Sequence, residues 1–157
     1  MTEDRPHKSS FSRRSLLMAG ASGLVAVGWP LSAMATPEDA DAAIREVFGD
    51  GPLNEGKVSV DLPPIAENGN SVAIKVSVDS PMTERNHVKR IGIFSPRNPL
   101  PTVAVFNIGP LAGKAEVSTR IRMAGTQTIR AVAEMNDGSL WIGTASTVVT
   151  LAACLIG

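Results

Sequence analysis

From Lys57 onward the apolar residues recur at every second position, and that period restricts most of the chain to β-strands. Val58, Val60 and Leu62 alternate with polar residues. The clearest case is SVAIKVSVD, which puts Val72, Ile74, Val76 and Val78 on one face and Lys75, Ser77 and Asp79 on the other. Further strand candidates are VKRIGIF, TVAVFNI, AEVSTRIRM, TIRAVAEM, LWIGTA and TVVTLA. These make about eight strands, punctuated by Pro, Gly and Asn. Asn68-Gly69 marks a turn within the loop PPIAENGN, and Asn136-Asp137-Gly138-Ser139 marks a tight hairpin. Strands in succession without intervening helices predict an all-β, antiparallel β-sandwich.

One helix precedes the strands. Thr36 is placed to cap it, Pro37 suits its first turn, and Asp39 complements its amino end. Ala40, Ala43, Ile44, Val47 and Phe48 recur at helical spacing, and Gly49 stops the helix before the turn-rich GDGPLNEG. The residues before Thr36 read as an export leader. Ser12-Arg13-Arg14-Ser15-Leu16-Leu17 has the twin-arginine pattern, a mildly apolar run follows, and Ala33-Met34-Ala35 is a small-residue cleavage site. Gly20, Ser22, Gly23, Gly28 and Pro30 interrupt the run, which argues for a cleaved signal and against a membrane anchor. The expected organisation is a signal peptide over 1–35, cleaved between Ala35 and Thr36, a sandwich domain over 36–150, and a carboxy-terminal arm over 151–157. The expected location is the periplasm, reached by the twin-arginine route.

Composition removes several function classes. The formal net charge is zero, so no electrostatic case exists for nucleic acid. Without Glu3, Asp4, Arg5, Lys8, Arg13 and Arg14 it becomes about −2. One cysteine excludes an internal disulfide framework and a zinc site built from several cysteines. No acidic cluster has metal-ligand spacing, and Glu38 and Asp39 read as solvated helix residues. Neither a metal nor a cofactor is expected. Gly109 and Gly113 in NIGPLAGKAE are spaced for a turn, not a phosphate loop, and Phe106 and Trp141 read as core. Past the leader, His87 is the only histidine, in the exposed-looking TERNHVKR, and a Cys-His nucleophile pair would need it beside Cys154.

Cys154 itself stands three residues from the carboxy terminus. No Lys, Arg or His lies within the last twenty residues, so sequence neighbours predict ordinary thiol acidity. An enzyme nucleophile has a base or a positive field built in. The thiol therefore reads as one acted upon by other proteins. Two other readings stand beside this: a small apolar residue completing the last strand, and a thiol that oxidises to a disulfide-linked dimer. If the last strand continued, Val148, Thr150, Ala152 and Cys154 would share one face, and Val149, Leu151, Ala153 and Leu155 the other.

Three stretches carry a family resemblance: ENGNSVAIKVSVDSPMT, the residues from Asn98 to Phe106, and GPLAGKAEVSTRIRMAGTQTIRAVAEMNDGSLW. Together they resemble the SoxY-type sulfur carriers of bacterial thiosulfate oxidation, from about Pro37 to the end. The resemblance implies an immunoglobulin-like sandwich with a short amino-terminal helix, and a heterodimer with a SoxZ-like subunit. It also implies a mobile carboxy-terminal arm bearing the cysteine in a GGCGG motif. Thiosulfate-derived sulfur would ride on Cys154 as a covalent conjugate, loaded by haem-containing SoxXA, hydrolysed by SoxB and, where present, oxidised by SoxCD-type enzymes. The carrier itself would not be an enzyme. Residue by residue, the glycines before the cysteine become Ala152 and Ala153, and those after it Leu155 and Ile156, with Gly157 last. Glycine keeps an arm thin and conformationally permissive, whereas Leu155 and Ile156 add bulk and strand preference. The competing expectation is an exported immunoglobulin-like interaction module whose cysteine only packs.

Overall fold

The structure, a computed structural model, describes residues 35–153. Arg13 and Arg14, and Cys154, Leu155, Ile156 and Gly157, therefore lie outside the described residues.

The chain opens with α1 (Pro37–Phe48). Thr36 caps it reciprocally: Asp39 N–H donates to Thr36 Oγ1 at 3.2 Å, and Thr36 N–H donates to Asp39 Oδ2 at 2.7 Å. Nine strands follow: β1 (Leu53–Glu55), β2 (Val58–Asp61), β3 (Ile65–Asn68), β4 (Val72–Val78), β5 (Val88–Phe94), β6 (Thr102–Asn107), β7 (Glu116–Ile121), β8 (Gln127–Met135) and β9 (Leu140–Leu151). A single 3₁₀ turn, Pro110–Ala112, fills the NIGPLAG segment, with Gly113 at φ 72°. One sheet has the order β1-β9-β8-β5-β6, with β3 also paired to β9; the other is β2-β4-β7.

The two sheets enclose the main core. Val72, Ile74, Val76 and Val78 of β4 face Ile91 and Ile93 of β5, Ile129, Ala131 and Ala133 of β8, and Met123, all buried. Helix α1 covers the other face of the larger sheet, where Ala43 and Ile44 pack on Phe94 and Val132. This double cover explains why Ala131, Val132 and Ala133 are buried in succession, against simple alternation. Gly92 makes room for the helix, since a Cβ there would lie 2.8 Å from the Phe48 ring. Phe106 and Trp141 pack against the core, as expected from sequence.

Three details differ from the sequence expectation. LWIGTA and TVVTLA form one twelve-residue strand, β9, because Ser146 between them continues the ladder opposite Thr128. A Cβ at Gly143 would run into the Val58 carbonyl of β2, so that glycine is there for a close approach, not for a break. GDGPLNEG and PPIAENGN each contribute a short strand, β1 and β3. Both pair parallel to β9, β1 along its start and β3 along its end, in an otherwise antiparallel sandwich.

Candidate functional site

The last described residues are tied down at several points. Val148 N–H donates to the Pro64 carbonyl at 3.0 Å, and the Val149 N–H to Thr126 Oγ1 at 3.0 Å. The Leu151 carbonyl accepts from Gly69 N–H at 2.7 Å, and the Ala153 N–H donates to the Met123 carbonyl at 3.0 Å. Gly69 also accepts from Met123 N–H at 2.8 Å. Asn68-Gly69 is the turn expected from sequence, with Asn70 N–H donating to Asn68 Oδ1 at 2.8 Å. The glycine is required by proximity: a Cβ would run into the Met123 carbonyl and lie 2.8 Å from the Ala153 nitrogen. Thr147, almost fully buried, donates its hydroxyl to the Pro63 carbonyl at 2.5 Å.

A buried polar network underlies this end of β9. Ser95 donates to Gln127 Oε1 at 2.7 Å, which also accepts from Arg97 N–H at 3.1 Å. Asn98 donates to the Arg122 carbonyl at 2.8 Å and accepts from Ala124 N–H at 3.0 Å. These bonds fix the segment after β5 to the β7–β8 connection, and that connection holds Val149 and Ala153. Among the described residues no buried side-chain nitrogen or oxygen lacks a partner, so the foundation is rigid.

Val148 is half exposed and Thr150 and Ala152 are exposed, while Ala153 is 7 % exposed. Ala152 and Ala153 thus form the tethered start of the arm. Ala35 is partly buried, and Thr36 is the helix cap. His87 stands at the opposite end of the sheet. Its N–H donates to Asn136 Oδ1 at 3.1 Å in the β8–β9 turn, and its Nδ1 lies 3.1 Å from the Thr83 carbonyl. From that turn β9 runs twelve residues, roughly 35 Å, before the arm begins. His87 and Ala153, the last described residue, therefore lie at opposite ends of β9.

The sequence reading missed the charges at this site. Three arginines lie in segments next to these ties. Arg120 Nε donates to Ser71 Oγ at 2.6 Å and its second nitrogen to the Ser71 carbonyl at 3.0 Å. Arg97 donates to the Thr126 carbonyl at 2.8 Å, and Arg122 is exposed next to Met123. The i, i+2 spacing in STRIRM signals that Arg120 and Arg122 share a face. Which strand end that face adjoins is set by pairing between distant segments. Elsewhere, Glu134 is 9 % exposed and receives Lys89 Nζ at 2.8 Å and Arg90 Nε at 2.6 Å. Burial is the largest influence on its carboxyl and pushes it up. The bonds and charges of Lys89 and Arg90 together outweigh burial and hold it below the ordinary value.

A family model described as sulfur oxidation protein SoxY matches residues 44–154. The structure is similar to that of the sulfur carrier protein SoxY from Chlorobium limicola f thiosulfatophilum, with a TM-score of 0.62 and 35% identity over 73% of this chain and 98% of that one. It also matches superoxide reductase (neelaredoxin) from Ignicoccus hospitalis, with a TM-score of 0.53 and 17% identity over 74% of this chain and 94% of that one, a likeness of fold alone. No curated protein matches the sequence. With its two sheets, the α-helix ahead of them and its match running through Cys154, this chain belongs to the SoxY family and is a sulfur carrier of the Sox system, not an enzyme.

Proposed function

We propose that the protein works in the periplasm and carries sulfur covalently on Cys154. The observation that supports this most is the way the fold ends. A rigid sandwich ties the chain down as far as Ala153, and the family match closes on the next residue, Cys154. Val148, Thr150 and Ala152 are exposed, and so is Leu151 between them. His87 is bonded at the far end of β9 from Ala153, which agrees with a thiol dressed by other proteins.

Loading joins the thiol and thiosulfate through a new S–S bond, RSH + S₂O₃²⁻ → RS–S–SO₃⁻ + H⁺ + 2e⁻, with a haem-containing SoxXA-type partner as electron acceptor. Hydrolysis by a SoxB-type partner then gives RS–S–SO₃⁻ + H₂O → RS–S⁻ + SO₄²⁻ + 2H⁺. A SoxZ-like subunit completes the working heterodimer, and a SoxCD-type enzyme, where present, oxidises the remaining sulfane. Ala152, Ala153, Leu155, Ile156 and Gly157 flank the attachment point.

Tetrathionate tests the attachment without any partner enzyme, because RS⁻ + S₄O₆²⁻ gives RS–S–SO₃⁻ + S₂O₃²⁻. Native protein is expected to gain the mass of one thiosulfonate group, and Cys154→Ser none. Native protein that stays unmodified until it is denatured would mean a packed, structural cysteine and would overturn the reading.

A further inference from the structure

Helix α1 covers only part of the outer face of the larger sheet. Beneath it lie Phe94, Val132 and Ile142, all apolar. Further along the same face the side chains turn polar. Arg130 of β8 stands opposite Thr144 of β9, and Thr128 opposite Ser146. The Arg130 guanidinium marks the edge of the helix, pairing with Asp41 and lying 3.5 Å from the Pro37 carbonyl. Past that edge a pocket of about 470 Å³ opens, with Pro37 and Pro96 as apolar walls and Arg97, Thr128, Arg130 and Thr144 as its polar lining. Among the described residues no carboxylate lines it. Arg97 is fixed at both ends: its N–H donates to Gln127 Oε1 at 3.1 Å and its guanidinium to the Thr126 carbonyl at 2.8 Å. Asp41 offsets the charge of Arg130, whereas Arg97 pairs with no described carboxylate. The pocket therefore holds an uncompensated positive charge. The Thr128 and Ser146 hydroxyls share one hydrogen bond of 2.7 Å, which leaves one O–H of the two free to donate. Thr144 is exposed beside them.

We infer that this pocket binds a tetrahedral sulfur oxoanion, thiosulfate or sulfate, reversibly and without a covalent bond. Two guanidinium groups on opposite sides of one pocket match the paired oxygens of such an anion, and threonine hydroxyls supply further donors. Arg130 is partly buried against the helix, so its charge is less screened than that of a free surface arginine. That the anion is one of sulfur follows from the chain's place in the Sox system. The site does not depend on Cys154. Thr144 lies seven residues before Leu151, the last residue of β9, which sets the pocket back from that strand's end by roughly 23 Å. It is thus a second place for a sulfur oxoanion, on the face that carries the helix.

The test uses the full chain carrying Cys154→Ser, so that no covalent loading can intrude. Sodium thiosulfate and sodium sulfate are titrated separately into ¹⁵N-labelled protein, with sodium chloride holding the ionic strength constant. The amide signals of Thr128, Arg130 and Thr144 and the Nε signals of Arg97 and Arg130 are expected to move and to saturate. Adding Arg97→Gln should weaken binding about fivefold. Thr144→Val should weaken it by a smaller factor, and both side chains are exposed, so the core is left intact. Lys114→Gln removes an exposed cation outside the pocket and should leave binding unchanged. Tighter binding of thiosulfate would make this a site for the substrate of loading, and tighter binding of sulfate a site for the product of hydrolysis. Signals that never saturate, movements that chloride alone reproduces, or equal weakening by Lys114→Gln would overturn the site. Such a failure leaves the carrier reading standing, because that reading is decided by tetrathionate on native protein.

Discussion

Two glycines and one glutamate show how single residues are committed. Gly69 and Gly143 each sit where another backbone passes within contact of the Cα, so any side chain would displace a neighbouring strand. Both were visible in the sequence, Gly69 as half of a turn and Gly143 inside the strand candidate LWIGTA. Their real cause, a carbonyl from a distant element, is not a local property. Glu134 is the clearest pH-sensitive group. Its carboxyl is held low by Lys89 and Arg90, so the stability it contributes is full above the ordinary glutamate range and is lost as pH falls through the lowered value. Glu134→Gln is expected to cost about 1–3 kcal/mol at neutral pH. It should also flatten the acid limb of stability, measured as urea midpoints from pH 7 down to pH 3. Asp137, lowered by its bonds from Ser139, keeps that limb from becoming level. An unaltered acid limb in the variant would contradict the assignment.

At the scale of elements, the strands with strong alternation were legible to within a residue or two. VKRIGIF is β5, and SVAIKVSVD contains β4. Helix α1 was legible from its cap, its apolar spacing and its stop. β1 and β3 were not, because three or four residues carry too little period, and Leu53 and Ile65 are themselves exposed. These strands exist because β9 offers an edge for them to pair with. The same holds for the arm's foundation: nothing around Asn98 announces that its side chain will bond a segment more than twenty residues away. Asn98→Ala removes those bonds and leaves the Arg122 carbonyl and Ala124 N–H without a side-chain partner. A loss of about 1–3 kcal/mol is expected. Amide exchange should then quicken at Val149 and Ala153 before it does in β4. Equal acceleration in both places would mean that the network supports the fold generally and not the arm.

For the whole molecule, the resemblance identified the family and the sandwich from sequence, and the position of the thiol on the last few residues pointed to a carrier. The ties at the end of β9 were not legible, since Gly69, Met123 and Thr126 belong to segments that meet only when the chain has folded. The proposed export is tested at this scale as well. The twin-arginine leader predicts that protein recovered from the periplasm begins at Thr36, as read by intact mass. Arg13→Lys combined with Arg14→Lys should leave the full-length chain in the cytoplasm. Processed protein in the periplasm despite that double change would remove the twin-arginine route.

The tie at Ala153 has a mechanical consequence. Consecutive Cα atoms are about 3.8 Å apart, so the thiol-bearing residue hangs on a leash one peptide long. While the bonds to Met123 and Gly69 hold, the chain as far as Ala153 cannot lift away from the sandwich. Unfastening those two bonds pays the leash out by a few residues, at roughly 3.3 Å each. How far the end of β9 can extend from the sandwich is therefore set by how readily that seam opens.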